Sequence, residues 1–409
     1  RLMGYDNYAE FVLEERMAKH AENVYNLLDQ IWTPALAKAK EELADIQAEI
    51  KKEGKNFTAE GWDWRYYAEK AKQARFNLDE NELRPYLKLE NVRNGVFYVA
   101  NKLYGITFTE LKNIPLPHPD AEAFECKDQD GKHLGVLYMD YFPRASKRGG
   151  AWCSTYRSQT YRNGEKLAPV VTIVCNFSKP AAGQPALLNA DETETLFHEF
   201  GHALHNLFKD VHYYGVSGVP RDFVELPSQV DEHWAFEPEV LKVYAKHYQT
   251  GELLPDEYIR RIVDAANFNV AYACLRQVSF GLLDMAWYNR DTEFAGDVKQ
   301  YEKESWKRAQ VLPTVEDACM SVQFSHIMDG GYSAGYYSYK WAEVLDADAF
   351  SVFKEKGIFN KGVAESFREH ILSKGGTEHP MTLYRRFRGQ EPTIDALLRR
   401  NGIKTKSTN

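Results

Sequence analysis

The sequence predicts a mostly α-helical protein with a small, largely antiparallel β-sheet set between two helical regions. Two observations carry this. Apolar residues recur at helical spacing through the first hundred residues and again from Asp191 onward. Between them lies a stretch of alternating apolar and polar residues, broken by Asp130-Gly131 and Asn163-Gly164 turn signals. At 409 residues, 44% of them hydrophobic, the chain can bury a large core.

In the first region, Val24, Leu27, Leu28, Ile31, Leu36, Leu43, Ile46 and Ile50 mark a helix over 21–53. Pro34 is expected to bend or split it, Gly54 to stop it, and Glu42 with Lys38 to lie on a solvated face. Further helices are expected over 62–77 and 93–103. The segments 121–127 and 133–141 read as a β-hairpin, followed by strands over 150–159 and 169–176. The organisation expected is a helical region at 1–104, a sheet region at 105–178 and a helical region at 179–409. The tail at 404–409 is expected to fray.

Composition excludes several classes. A formal charge of -8 with interspersed signs argues against a nucleic-acid partner, which needs clustered Lys and Arg. No run approaches the roughly 18–20 apolar residues of a membrane span. Five scattered cysteines without a C-x-x-C pair fit free thiols in a reducing compartment, so a cytoplasmic location is expected. The opening Arg-Leu-Met-Gly-Tyr-Asp reads as the interior of a longer protein, with an N-terminal part absent.

The strongest chemical signal is Asp191-Glu-Thr-Glu-Thr-Leu-Phe-His-Glu-Phe-Gly-His-Ala-Leu-His205. Asp191 and Glu194 suit a capping box, and Leu196, Phe197, Phe200, Ala203, Leu204 and Leu207 supply an apolar face. On a helix, His198 and His202 lie about one turn apart and can share one Zn²⁺. Glu199, rotated by roughly 100°, stands beside the pair as a base for an attacking water. His205 does not fit the ligand spacing.

A catalytic zinc needs a third protein ligand. From spacing alone, Glu225, Asp222, Asp231 and Glu232 are all open, with Glu225 set between the apolar Val224 and Leu226. Asp222 and Glu232 are also candidates to accept the second ring N–H of a ligating histidine. Farther on, four tyrosines and three glycines fall within Gly330 to Tyr339. Tyr332, Tyr336 and Tyr339, spaced 4 and 3 apart, could share one helical face and offer neutral donors to an oxyanion, or pack as an aromatic face.

Together, His198-Glu-Phe-Gly-His202, Asp222-Phe-Val-Glu225 with Pro227-Ser-Gln229, and Gly330-Gly-Tyr332 through Tyr339 resemble the thimet oligopeptidase and neurolysin-type zinc metallopeptidases. The resemblance is nearest to the bacterial dipeptidyl carboxypeptidases (peptidyl-dipeptidases) of that family. Weaker similarity runs through Trp62-Asp-Trp64, Gly149-Gly-Ala-Trp152 and Lys179-Pro-Ala-Ala-Gly183. It implies a zincin-like, two-lobed helical body with a deep channel for short unstructured peptides, and one Zn²⁺ per chain on His198, His202 and Glu225. It also implies substrate-carbonyl binding by Tyr332 and Tyr339, with His326 nearby. Two departures bear on the branch. Asp329 stands where the carboxypeptidases have a small residue, and the oligopeptidases are one residue shorter between His326 and Tyr332.

The function expected is hydrolysis of short peptides by a monomeric enzyme with Glu199 as general base, releasing C-terminal dipeptides. The alternative is an internal-cleaving oligopeptidase with the same zinc site, and the remote one an inactive peptide-binding scaffold. Dipeptide release needs a group to hold the free carboxylate roughly 7 Å beyond the metal. Tyr336, Arg157, Arg386 and Arg388 are candidates. The strand near Gly150 to Cys153 could pair with an extended substrate.

Overall fold

The computed structural model describes residues 2–403, so the tail at 404–409 lies outside the described residues. Helices dominate, and one small sheet lies between the early and late helical segments. Ala21–Lys52 forms a single helix that runs through Pro34 without splitting. A proline forfeits a helical hydrogen bond. Here Leu28, Ile31, Ala35 and Ala39 bury around it in one cluster with Leu275, Val278 and Leu282 of the helix Val270–Tyr288. Tertiary packing outweighs the local loss.

Glu42 is not on a solvated face. It is buried and accepts hydrogen bonds from Ala271 N (3.1 Å) and Tyr272 N (2.8 Å), in the first turn of Val270–Tyr288. Free N–H groups at a helix start need acceptors, and a carboxylate from the neighbouring helix supplies one. Lys38 pairs with Glu41. The next helices are Trp64–Phe76 and Leu89–Tyr104.

The strands are β1 (Thr107–Glu110), β2 (Glu122–Lys127), β3 (His133–Asp140), β4 (Trp152–Arg157), β5 (Thr160–Arg162), β6 (Glu165–Leu167) and β7 (Val170–Val174). The main sheet runs β1-β2-β3-β7-β4. β2 and β3 form the expected antiparallel hairpin, whereas β3 and β7 are parallel. β5 and β6 make a separate hairpin. Its Asn163 and Gly164 both have positive φ, as a type I′ turn requires. β4 forms one rim of the main sheet.

The motif helix Ala190–Phe208 lies against this sheet. Its Leu196, Phe197, Phe200, Ala203, Leu204 and Leu207 bury with Leu137, Met139, Val171 and Ile173. The capping box is real but sits two residues earlier than expected. Asn189 accepts from Glu192 N, and Glu192 accepts from Asn189 N. The extended backbone at Asn189 makes it the cap, while Asp191 already belongs to the first turn. Glu192 also accepts from Ser178 N, tying the segment after β7 to the helix start.

The other face of the motif helix meets Leu226–Glu232. The approach is close enough that a Cβ on Gly201 would lie 2.4 Å from Pro227 O and 2.6 Å from Ser228 Cα. Only glycine fits there. None of the helices among the described residues is long and apolar enough to cross a membrane, and all five cysteines are free thiols.

Candidate metal centre

His198 and His202 project from successive turns of the motif helix, and Glu225 from the joint between Arg221–Val224 and Leu226–Glu232. Glu225 Oε2 lies 3.3 Å from His198 Nε2 and 3.1 Å from His202 Nε2. The Gly201 contact sets this distance, because it lets the segment carrying Glu225 settle directly onto the helix. Burial opposes ionisation of Glu225, but His202 and His198 override it and hold the carboxyl well below its usual range. Ser228 Oγ donates to the same carboxylate oxygen at 3.0 Å.

The other carboxylates left open by spacing lie elsewhere. Glu232 meets His198 Nδ1, fixing the ring so that Nε2 faces Glu225. Asp222 does not meet a histidine. It accepts from Met17 N and Ala18 N (3.0 Å each) and from the Tyr337 hydroxyl (2.7 Å), bracing the site from behind. Asp231 is buried, and burial pushes its carboxyl well above the usual range.

Glu199 is only 4% exposed. Its Oε1 is 4.0 Å from His198 Nε2, and its Oε2 has no protein hydrogen-bond partner. Burial raises its pKa against the pull of His198 and His202. A buried carboxylate oxygen without a partner needs an explanation, and a guest at the centre supplies one. Two imidazole nitrogens and one carboxylate oxygen are a donor set that a divalent ion such as zinc accepts with a further position open. The set fits a metal. His205, as expected, is not among the converging donors; burial holds it neutral, well below its usual pKa.

The tyrosines do converge, but not along one helical face. Tyr332 and Tyr336 lie in turns, and only Tyr339 is in the helix Ser338–Lys356. Gly331 at φ 84° and Ala334 at φ 52° break helical progression. Asp284 restores order by accepting from Ala334 N and Tyr336 N at 2.8 Å each. The Tyr332 and Tyr339 rings stack at 5.0 Å, and the His326 ring lies 5.8 Å from Tyr332 and 6.3 Å from Tyr339. The Tyr332 hydroxyl donates to Glu225 Oε1, so this loop touches the metal centre directly. Burial pushes both phenols upward in pKa and the His326 imidazole downward, leaving neutral donors and a neutral ring near pH 7.

Sequence reasoning missed Asp284, and quoted Ser228 and Gln229 within the resemblance without giving either a role; the Gln229 amide donates to the Tyr339 carbonyl at 3.0 Å. The signal for Asp284 was a lone acid in the apolar run Phe280-Gly-Leu-Leu-Asp-Met. Nothing in the spacing marks Ser228.

Comparison with known proteins agrees with this geometry. The chain is 43% identical over 407 residues to dipeptidyl carboxypeptidase of Escherichia coli, covering 98% of this chain and 60% of that protein. It is 42% identical over 412 residues to oligopeptidase A of the same organism, covering 99% and 60%. The chain thus spans about 60% of the length of these relatives. Among solved structures, the M32 carboxypeptidase of Deinococcus radiodurans shares the fold at TM-score 0.58 and 13% identity, over 97% of this chain and 69% of that one. The profile of peptidase family M3 matches residues 1–403. Histidines, carboxylate, tyrosine loop and relatives lead to one conclusion: the chain belongs to peptidase family M3.

Proposed function

We propose that the protein is a zinc-dependent peptidase that releases dipeptides from the C-termini of short unstructured peptides. The observation that carries this is the orphaned Glu199 oxygen beside three converging metal donors. In this reading His198, His202 and Glu225 hold one Zn²⁺ per chain. When bound, zinc polarises a carbonyl and lowers the pKa of water toward 7.

This chain's own groups do the rest. Glu199, ionised, takes the proton of the attacking water and delivers it to the leaving amine. Glu232 holds the His198 tautomer. Tyr332 and Tyr339 donate to the oxyanion as it forms, Tyr332 exchanging its bond to Glu225 for one to substrate. Neutral His326 packs beside both rings and supports their orientation. The outer edge of β4, on the rim of the sheet, pairs with extended substrate backbone.

The near-equal identity to oligopeptidase A keeps internal cleavage as the second reading. A peptide with an amidated C-terminus separates them: a dipeptidyl carboxypeptidase rejects it, and an oligopeptidase still cuts inside. The first test is Glu199→Gln, which should keep stoichiometric zinc and lose turnover. Retained turnover would remove Glu199 from its role. We place it in the cytoplasm as a monomer; the five free thiols accord with a reducing compartment.

A further inference from the structure

A cavity of about 230 Å³ opens beside His202 and is lined by Arg16, His205, Lys209 and Arg221. Three cations and a buried histidine thus face one small space, with no carboxylate in its lining. Among the described residues, Arg16, Lys209 and Arg221 form no ion pair within 4.0 Å. Two atoms here are buried without any hydrogen-bond partner: Arg16 Nε and His205 Nε2. His205 is 4% exposed. Burial lowers the pKa of Lys209, as expected for an ammonium lacking a protein counter-ion. Like charges gathered around unsatisfied donors fit an anionic guest.

The position narrows the guest. His202, whose Nε2 lies 3.1 Å from Glu225 Oε2, is also one of the residues lining the cavity. The Arg221 guanidinium lies over the Tyr332 ring, 4.7 Å from its centre, while that tyrosine's hydroxyl reaches Glu225. The cavity and the metal donors thus share His202, and Arg221 covers the tyrosine whose hydroxyl meets Glu225. An extended peptide advances about 3.4 Å per residue, so a terminal carboxylate two residues past the scissile carbonyl lies roughly 7 Å away.

The groups weighed from sequence are otherwise engaged. Arg386 pairs with Glu378, Arg388 with Asp348, and Arg157 donates to Ala168 O. Tyr336 is buried against Phe280 and Phe324.

We infer that the cavity of Arg16, His205, Lys209 and Arg221 binds the free C-terminal carboxylate of the peptide. This deepens the dipeptide-releasing reading and rests on it. Arg221 is the fork that meets the carboxylate, Lys209 and Arg16 supply charge, and His205 Nε2 offers a neutral donor.

The test is calorimetric binding of Gly-Phe and its C-terminal amide to the full-length protein, with sulfate competition as a parallel arm. The acid should bind roughly 10- to 100-fold tighter than the amide, as a charge-assisted hydrogen bond predicts. Arg221→Gln and Lys209→Met should each pull that ratio toward one, and Arg221→Lys should restore part of it. Sulfate should compete with the acid and not with the amide. Thermal melting checks that each variant folds, and Lys209→Met stands in if Arg221→Gln does not. A ratio near one in the unaltered protein overturns the inference, as does an unchanged ratio in the folded variants. A protein that prefers the acid yet cuts no peptide refutes only the peptidase reading.

Discussion

Replacing Gly201 by alanine tests the packing that sets the metal centre. The added Cβ would stand 2.4 Å from Pro227 O, whereas ordinary contact begins near 3.4 Å. The Pro227–Ser228 backbone must therefore retreat by about 1 Å. Glu225 rides on that segment, and metal–ligand distances tolerate only about 0.2 Å. The carboxylate then reaches the two imidazoles poorly. Zinc affinity should fall at least 10- to 100-fold, the scale seen when ligand support is disturbed. Overpacking costs about 1–3 kcal/mol, and alanine returns roughly 0.5–1 kcal/mol of helix propensity. The metal-free variant should therefore unfold in urea with up to about 2.5 kcal/mol less stability. Chelator competition measures the first effect, and urea titration followed by circular dichroism the second. Zinc affinity within twofold of the parent, with an unchanged urea midpoint, would refute the claim that this contact positions Glu225.

Other side chains give separate readouts. On the proposal that Tyr332 donates to the oxyanion, Tyr332→Phe should lower kcat by roughly 10²- to 10³-fold with zinc retained, measured by steady-state kinetics and metal analysis. Glu232→Ala frees the His198 ring and should weaken zinc binding about 10- to 100-fold by chelator competition. Asp284→Asn keeps one acceptor for two backbone N–H groups and turns an amide donor toward the other. It should cost about 1–3 kcal/mol and lower turnover by loosening the tyrosine loop. Burial raises the Asp284 pKa to about 7. Its contribution to stability is therefore full below the unfolded value of about 4 and is lost as pH rises through 7. Asp284→Asn should flatten that decline in urea titrations between pH 4 and 7, and an unaltered slope would contradict it.

The convergence of His198 and His202 was legible because a one-turn spacing puts two histidines on one side of a helix, and the helix that carries them is amphipathic. The sheet was legible from alternation and two Gly-containing turns. Other features depend on partners that only tertiary structure brings close. Glu42 looked solvated because its helical neighbours are polar, yet it caps a helix more than two hundred residues away in sequence. Asp222 and Glu232 read alike as acids near a ligand, and only packing sends one to His198 and the other to Met17 N and Ala18 N. The capping box slipped by two residues because Asn189/Glu192 and Asp191/Glu194 share one spacing, and the extended backbone at Asn189 decides between them. The tyrosine spacing was right for convergence and wrong about its cause, since turns held by Asp284 replace the helix there.

The bond between Tyr332 and Glu225 spans 107 positions, and that between Asp222 and Met17 spans 205. A ribosome exposes the two histidines long before it exposes the tyrosines. At a synthesis rate of about 5–20 residues per second, the interval lasts several seconds or more. Throughout that window the nascent chain carries the two histidines without the tyrosines that the proposed reaction calls on. In the proposed reading the reactive set is therefore assembled only when distant stretches have closed on one another.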